Sequence, residues 1–123
     1  MPLVELVKRQ WLDYARTHRS RRTLLVHLAA VPAFIVGNVA LVAALLLGMW
    51  AAATLSLAVM AASLVWQGRC HRGEPGRPEP FSGPAEAVAR ILLEQWVTFP
   101  RFAFSGDWAR ALREASRQPL PRG

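Results

Sequence analysis

The stretch that decides the fold runs from Thr23 to Gly68 and is TLLVHLAAVPAFIVGNVALVAALLLGMWAAATLSLAVMAASLVWQG, with no Lys, Arg, Asp or Glu. It is too long for one membrane-spanning helix and suits two, because a bilayer core of about 30 Å needs about 20 helical residues. Gly48 divides it near its middle. We therefore predict an all-α integral membrane protein with a helical hairpin whose two helices are 24–47 and 49–68.

The distribution of charge predicts how this hairpin is oriented. The chain carries a net charge of +7, and its basic residues flank the apolar stretch instead of the turn at Gly48. They are Lys8, Arg9, Arg16, Arg19, Arg21 and Arg22 before the stretch and Arg69, Arg72 and Arg77 after it. Basic residues concentrate on the cytoplasmic side, so we expect a multi-pass inner-membrane protein with both termini cytoplasmic, in contact with anionic lipid headgroups. The same distribution argues against a nucleic-acid partner.

Length and cysteine content limit the organisation of the chain. Its 123 residues suffice for one membrane domain, 1–123. The single cysteine, Cys70, excludes an internal disulfide and a site built from several cysteines. The apolar stretch is far longer than the core of a signal peptide, so we expect no cleaved signal. A homo-oligomer is compatible with all of these features.

Three shorter helices are predicted around the hairpin. The spacing of apolar residues predicts an amphipathic helix over 3–18, lying on the membrane surface. A second interfacial helix is expected over 84–99, because Pro84 suits a first helical turn and Pro100 stops the pattern. A short helix is expected over 108–117.

The three histidines of the chain are expected at one end of the hairpin. His27 lies 21 residues before Gly48 and His71 lies 23 residues after it, so both are about 32–35 Å from the turn at 1.5 Å per residue. A break between helices near residues 19–23 would bring His18 to the same site. We predict a shared metal site of His18, His27, His71 and Glu74.

Glu74 completes this predicted site because it follows His71 by three residues, a spacing that lets two side chains on one helix reach one ion. Histidines and a carboxylate with open positions suit non-haem Fe(II), and the same ligands can hold zinc and activate water. Each side chain also has a structural interpretation: the histidines can bond backbone carbonyls near the headgroups, and Glu74 can form a surface ion pair with Arg72 or Arg77.

Two segments carry a resemblance to a known family. The segment from Trp11 to Pro32 follows the pattern W-L-x-Y-x3-H-x8-H-x4-P, and the segment from His71 to Pro78 follows H-R-G-E-x3-P. With the hydrophobic hairpin between them, this order resembles the membrane family typified by the fungal Fe(II)-dependent 2-hydroxy fatty acid dioxygenase. The resemblance spans residues 11–81, and the order and spacing of its short motifs carry it.

The resemblance implies a function for the predicted site. It implies an iron(II)-dependent oxygenase that removes one carbon from a 2-hydroxy fatty acid with O2. The three histidines would be metal ligands, and Glu74 a ligand and catalytic residue or a partner that orients one of them. Arg22, Arg69 and Arg101 are candidates to receive the substrate carboxylate. Two alternatives remain open at this point: a small membrane scaffold or lipid-binding protein without a metal, and a zinc-dependent hydrolase.

Overall fold

The computed structural model describes residues 2–117, so the ends of the predicted domain 1–123 lie outside the described residues. The described part is all-helical, which confirms the all-α part of the prediction. Its helices are α1 (Leu3–Thr17), α2 (Arg21–Leu46), α3 (Trp50–His71), α4 (Pro84–Leu93), α5 (Phe99–Phe104) and α6 (Asp107–Arg117). A π-helical turn, Glu94–Thr98, joins α4 to α5 without interruption.

Two of these helices, α2 and α3, are long and apolar enough to cross a membrane. They pack antiparallel, because Thr23 lies beside Cys70 near the start of α2 and Ala30 beside Ser63 further along it. The hydroxyl of Ser63 donates a hydrogen bond of 2.6 Å to the carbonyl of Ala30. Gly48 makes the turn between them with a φ of +67°, a conformation that glycine adopts without steric cost.

The break between α1 and α2 lies where the sequence predicted an interruption. The chain leaves the helix at His18, and α2 begins after Ser20, whose side-chain oxygen accepts a hydrogen bond from the backbone N–H of Thr23. Serine is a favoured residue at this position, because its oxygen satisfies one of the unpaired N–H groups of the first turn. The break therefore turns His18 towards α2.

The helix predicted over 84–99 continues beyond its expected end. Pro100 does not stop it, because the π turn before the proline changes the hydrogen-bonding pattern: Phe99 donates its N–H to the carbonyl of Glu94, five residues back. Proline lacks the N–H that a regular helix would require, and here Pro100 lies in the first turn of α5. The helix consequently runs from α4 through the π turn to Phe104.

The core lies where α1, α5 and α6 pack against the beginning of α2. Its buried members are Tyr14, Leu24, Val31, Phe99 and Phe102. Trp108 in α6 closes this core and donates its indole N–H to the carbonyl of Leu24 at 2.9 Å. The packing fixes α1 and the π turn around the beginning of α2, where His27 lies.

Candidate metal centre

His18 is held at the end of α1 by its neighbours in that helix. Its Nδ1 lies 2.8 Å from the carbonyl oxygen of Tyr14, and its ring stacks on the Tyr14 ring at a centroid distance of 3.8 Å. The side chain is buried. Because a carbonyl oxygen can only accept, Nδ1 carries the ring proton and Nε2 keeps a lone pair when the ring is neutral.

His27 has the same arrangement in the second turn of α2. Its Nδ1 lies 2.9 Å from the carbonyl of Thr23, four residues earlier, and its side chain is completely buried. Its Nε2 therefore also presents a lone pair. Metal-binding histidines commonly donate the other ring N–H to a backbone carbonyl in this way, since the bond fixes the tautomer and the orientation of the ring.

His71, the last residue of α3, brings the third ring to the same place. The ring centroids lie 4.7 Å apart for His18 and His27, 4.7 Å for His18 and His71, and 5.2 Å for His27 and His71. The Nδ1 atom of His71 is buried and has no hydrogen-bond partner among the described residues. A buried nitrogen without a partner is unfavourable, and a bound cation would satisfy it.

The carboxylate of the group comes from Glu94, the first residue of the π turn. Its Oε2 lies 3.2 Å from Nε2 of His18 and 3.7 Å from Nε2 of His27. Burial alone would raise the pKa of Glu94, but hydrogen bonds and positive charge from these two histidines in their protonated form outweigh it and hold the pKa well below its usual range. Glu94 is thus held as an anion facing the imidazoles.

Four potential ligand atoms, one each from His18, His27, His71 and Glu94, lie within 4.8 Å of one another. Ligand atoms around a zinc ion with bonds of about 2.1 Å are separated by roughly 3.4 Å in a tetrahedron. The two Nε2 atoms of His18 and His27 are 3.3 Å apart. The donor set is therefore one that a transition-metal ion can bind, and its closest pair of nitrogens has the spacing of two ligands of one ion.

Glu74, in contrast, does not belong to this group. Its buried carboxylate accepts hydrogen bonds from the backbone N–H of Arg19 at 3.0 Å and of Ser20 at 2.8 Å. The reason is that α3 ends at His71, so Glu74 lies in the turn after the helix and not one helical turn beyond His71. A carboxylate there is stabilised by the N–H groups at the start of α2, and it ties the turn after α3 to the break beside His18.

Sequence analysis did not predict Glu94 as a ligand, because in a regular helix this residue would lie one turn from Arg90 on a charged outer face. The π turn widens the helix at Glu94 and changes which side chains face inwards. One signal was present in the sequence: Gln95, an amide on the apolar face of this helix. Gln95 is completely buried, and its amide pairs with that of Gln67 in both directions at 2.8 and 2.9 Å. This pair anchors the π turn to α3 next to Glu94 and one turn from His71.

A cavity of about 580 Å³ opens beside the group, within the 300–1,000 Å³ typical of small-molecule sites. His18, His71 and Glu94 form part of its wall. Tyr14 also lines it, and its hydroxyl is buried. Burial, followed by the negative charge of Glu94 and hydrogen bonding to it, raises the pKa of Tyr14 well above its usual value, so the phenol is neutral and can donate a hydrogen bond to the Glu94 carboxylate or to a bound oxygen atom.

The arginines predicted to receive a carboxylate lie outside the wall of this cavity. Arg22, Arg69 and Arg101 do not line it, and the guanidinium of Arg101 lies over the Trp11 ring at 3.9 Å. The cationic side chains in the wall are Arg9 and Arg90. Both already lie beside carboxylates of the same wall, Arg9 at 3.7 Å from Glu79 and Arg90 at 3.5 Å from Glu86.

No family model, curated protein or solved structure matches this chain.

Proposed function

We propose that this protein is a membrane-bound, Fe(II)-dependent oxygenase that shortens 2-hydroxy fatty acids by one carbon. His18, His27, His71 and Glu94 would hold the metal. The observation that carries the proposal is the convergence of three ligand atoms: two Nε2 atoms lie 3.3 Å apart, with a carboxylate oxygen 3.2 Å from one of them.

This arrangement needs a shared cation, because three acceptors facing one point repel each other. One extra proton would remove the repulsion between only one pair of these acceptor atoms. His71 offers a fourth ligand atom at the same place, so a metal ion satisfies the group better than a proton does. Histidines with one carboxylate are a donor set suited to Fe(II), and bound Fe(II) would supply the redox chemistry with O2.

The proposed reaction balances without a separate reductant: RCH(OH)COOH + O2 → RCOOH + CO2 + H2O. The bond between C1 and C2 breaks, C1 leaves as CO2, and C2 becomes the carboxyl carbon of the shorter acid. The substrate loses four electrons, and O2 gains four. Within the cavity, the Tyr14 hydroxyl would donate a hydrogen bond to a substrate oxygen.

The location in a membrane is part of this proposal. In the most apolar windows of α2 and α3 only 28% and 22% of the residues are buried, whereas the core helix of a water-soluble protein would be mostly buried. We propose that the two helices form a transmembrane hairpin with its turn at Gly48 and both termini cytoplasmic. The metal site would then lie at headgroup depth, where a fatty acid presents its carboxyl end.

The test is conversion of 2-hydroxypalmitic acid by the iron-loaded protein in lipid nanodiscs. We expect pentadecanoic acid and CO2 in equal amounts, in the presence of O2 only, and no product from the His71→Ala variant. Palmitic acid, which lacks the hydroxyl, should not react. Activity without O2 and with zinc would instead support a hydrolase. If the acid is not converted, and if cells that carry the His71→Ala variant behave as wild-type cells do, the scaffold alternative is supported.

A further inference from the structure

The cavity extends along α3, as the residues that α3 contributes to its wall show. These are Leu64, Gln67, Gly68 and His71, which form one stripe along the helix. From His71 to Leu64 the cavity follows α3 for about 10 Å at 1.5 Å per residue. This direction leads away from the charged end of the helix pair and towards the turn at Gly48.

The wall changes from polar to apolar along this path. Along α3 the wall passes from the polar side chains of His71 and Gln67 to the apolar side chain of Leu64. Seven residues beyond Leu64 on the same face of α3, the side chain of Leu57 is exposed. The apolar end of the cavity thus leads to an apolar part of the α3 surface, which would face lipid.

Gly68 lies at the middle of the stripe and keeps the path open. A Cβ atom built at Gly68 meets no other atom within 4 Å, whereas one built at Gly37 meets the Met60 side chain at 2.8 Å. Gly37 is therefore required for packing between α2 and α3. Packing does not require Gly68, which costs about 1 kcal/mol of helix propensity relative to alanine.

We infer that the acyl chain of the substrate lies along this stripe and that Gly68 determines which chain lengths the site accepts. This inference rests on the proposed function and adds to it the position of the tail. The carboxyl and hydroxyl groups lie at the histidines, and the chain passes Gly68 and Leu64 towards the bilayer. A side chain at residue 68 would enter this path and exclude long chains, while short 2-hydroxy acids would still reach the histidines.

The test compares Gly68→Leu with the wild type, both loaded with Co(II) in nanodiscs. Binding of 2-hydroxypalmitic acid and of 2-hydroxybutyric acid is followed by the visible absorption of the cobalt. The matched control is Ala62→Leu, which adds a leucine to an exposed position of α3 outside the cavity wall. The Gly68→Ala variant adds a single methyl group in the same open space.

We expect Gly68→Leu to bind cobalt and 2-hydroxybutyric acid as the wild type does, and to bind 2-hydroxypalmitic acid at least about tenfold more weakly, which corresponds to about 1.4 kcal/mol. Gly68→Ala should show a smaller loss for the long acid, and Ala62→Leu none. Equal affinity of Gly68→Leu and wild type for the long acid would overturn the inference and leave the proposed function standing. Equal weakening of both acids would also overturn it. A wild-type protein that binds cobalt and neither acid would remove the proposed function itself.

Discussion

The Nε2 atoms of His18 and His27 lie 3.3 Å apart, although each ring donates its Nδ1 proton to a backbone carbonyl. Two neutral imidazoles in these tautomers would face each other with lone pairs. The arrangement is stable when a cation lies between them, and the protein should therefore be more stable with a metal than without it.

Removal of the metal should lower the thermal stability of the protein. An ion that binds only the folded state stabilises it by about 2.7 kcal/mol when its free concentration is 100 times its Kd. We expect a lower Tm after chelation and recovery when Fe(II) is added. The control is His18→Ala, whose Tm should not respond to Fe(II). Identical melting of the wild type with and without chelator would contradict a bound metal.

Glu94 and Glu74 should respond differently to loss of their charge. Glu94→Gln removes the carboxylate beside the histidines, so we expect metal affinity to fall by at least about tenfold. Loss of a residue that only orients a metal ligand already lowers metal affinity by about 10–100-fold. Glu74→Gln should retain the metal and lose about 1–2 kcal/mol of stability, because charged hydrogen bonds at the start of α2 are weakened. Metal titrations and unfolding curves of the two variants measure both effects. Loss of metal in Glu74→Gln alone would show that Glu74 is the ligand.

The Gln67–Gln95 amide pair should control the position of Glu94. Gln95→Leu leaves the buried amide of Gln67 without its partner, which costs about 1–3 kcal/mol, and should also weaken metal binding. The double variant Gln67→Leu/Gln95→Leu should be less destabilised than the sum of the two single variants, since neither amide is then left unpaired. Additive losses in this double-mutant cycle would mean that the two amides are not coupled.

Gly37 should be required for the contact between α2 and α3. A Cβ at this position would lie 2.8 Å from the Cγ of Met60 and 3.4 Å from the carbonyl oxygen of Ser56. We expect Gly37→Ala to destabilise the protein by about 1–3 kcal/mol, as overpacking does, and Met60→Ala to restore part of this loss. Gly68→Ala is the matched control on the open side of α3 and should cause no loss. Equal stability of both glycine variants would contradict the observed packing.

The convergence of His18, His27 and His71 was predictable because it depends on simple quantities. Two helices of similar length with one turn return the chain to its starting depth, and His27 and His71 are nearly equidistant from Gly48. The break was also predicted, within residues 19–23, and α2 begins after Ser20, a residue that favours the start of a helix. What the structure adds is the distances among the three rings and the tautomers that their backbone contacts require.

The carboxylate was not predictable in the same way. Glu94 faces the histidines because of a π turn, and a π turn depends on packing of the whole helix instead of a local sequence signal. Glu74 was favoured by its spacing from His71, which has that meaning only if the helix continues. Because α3 ends at His71, the same residue instead accepts hydrogen bonds from Arg19 and Ser20.

The most direct test of the account is the metal content of the purified protein. The wild type, His71→Ala and Glu74→Gln should be prepared without oxygen, reconstituted with Fe(II), passed through a desalting column and analysed for iron and zinc per chain. We predict about one iron per chain for the wild type and Glu74→Gln, and its loss in His71→Ala, because three converging histidines form the core of the site. No retained iron or zinc in the wild type would contradict the central claim that these histidines form a metal centre.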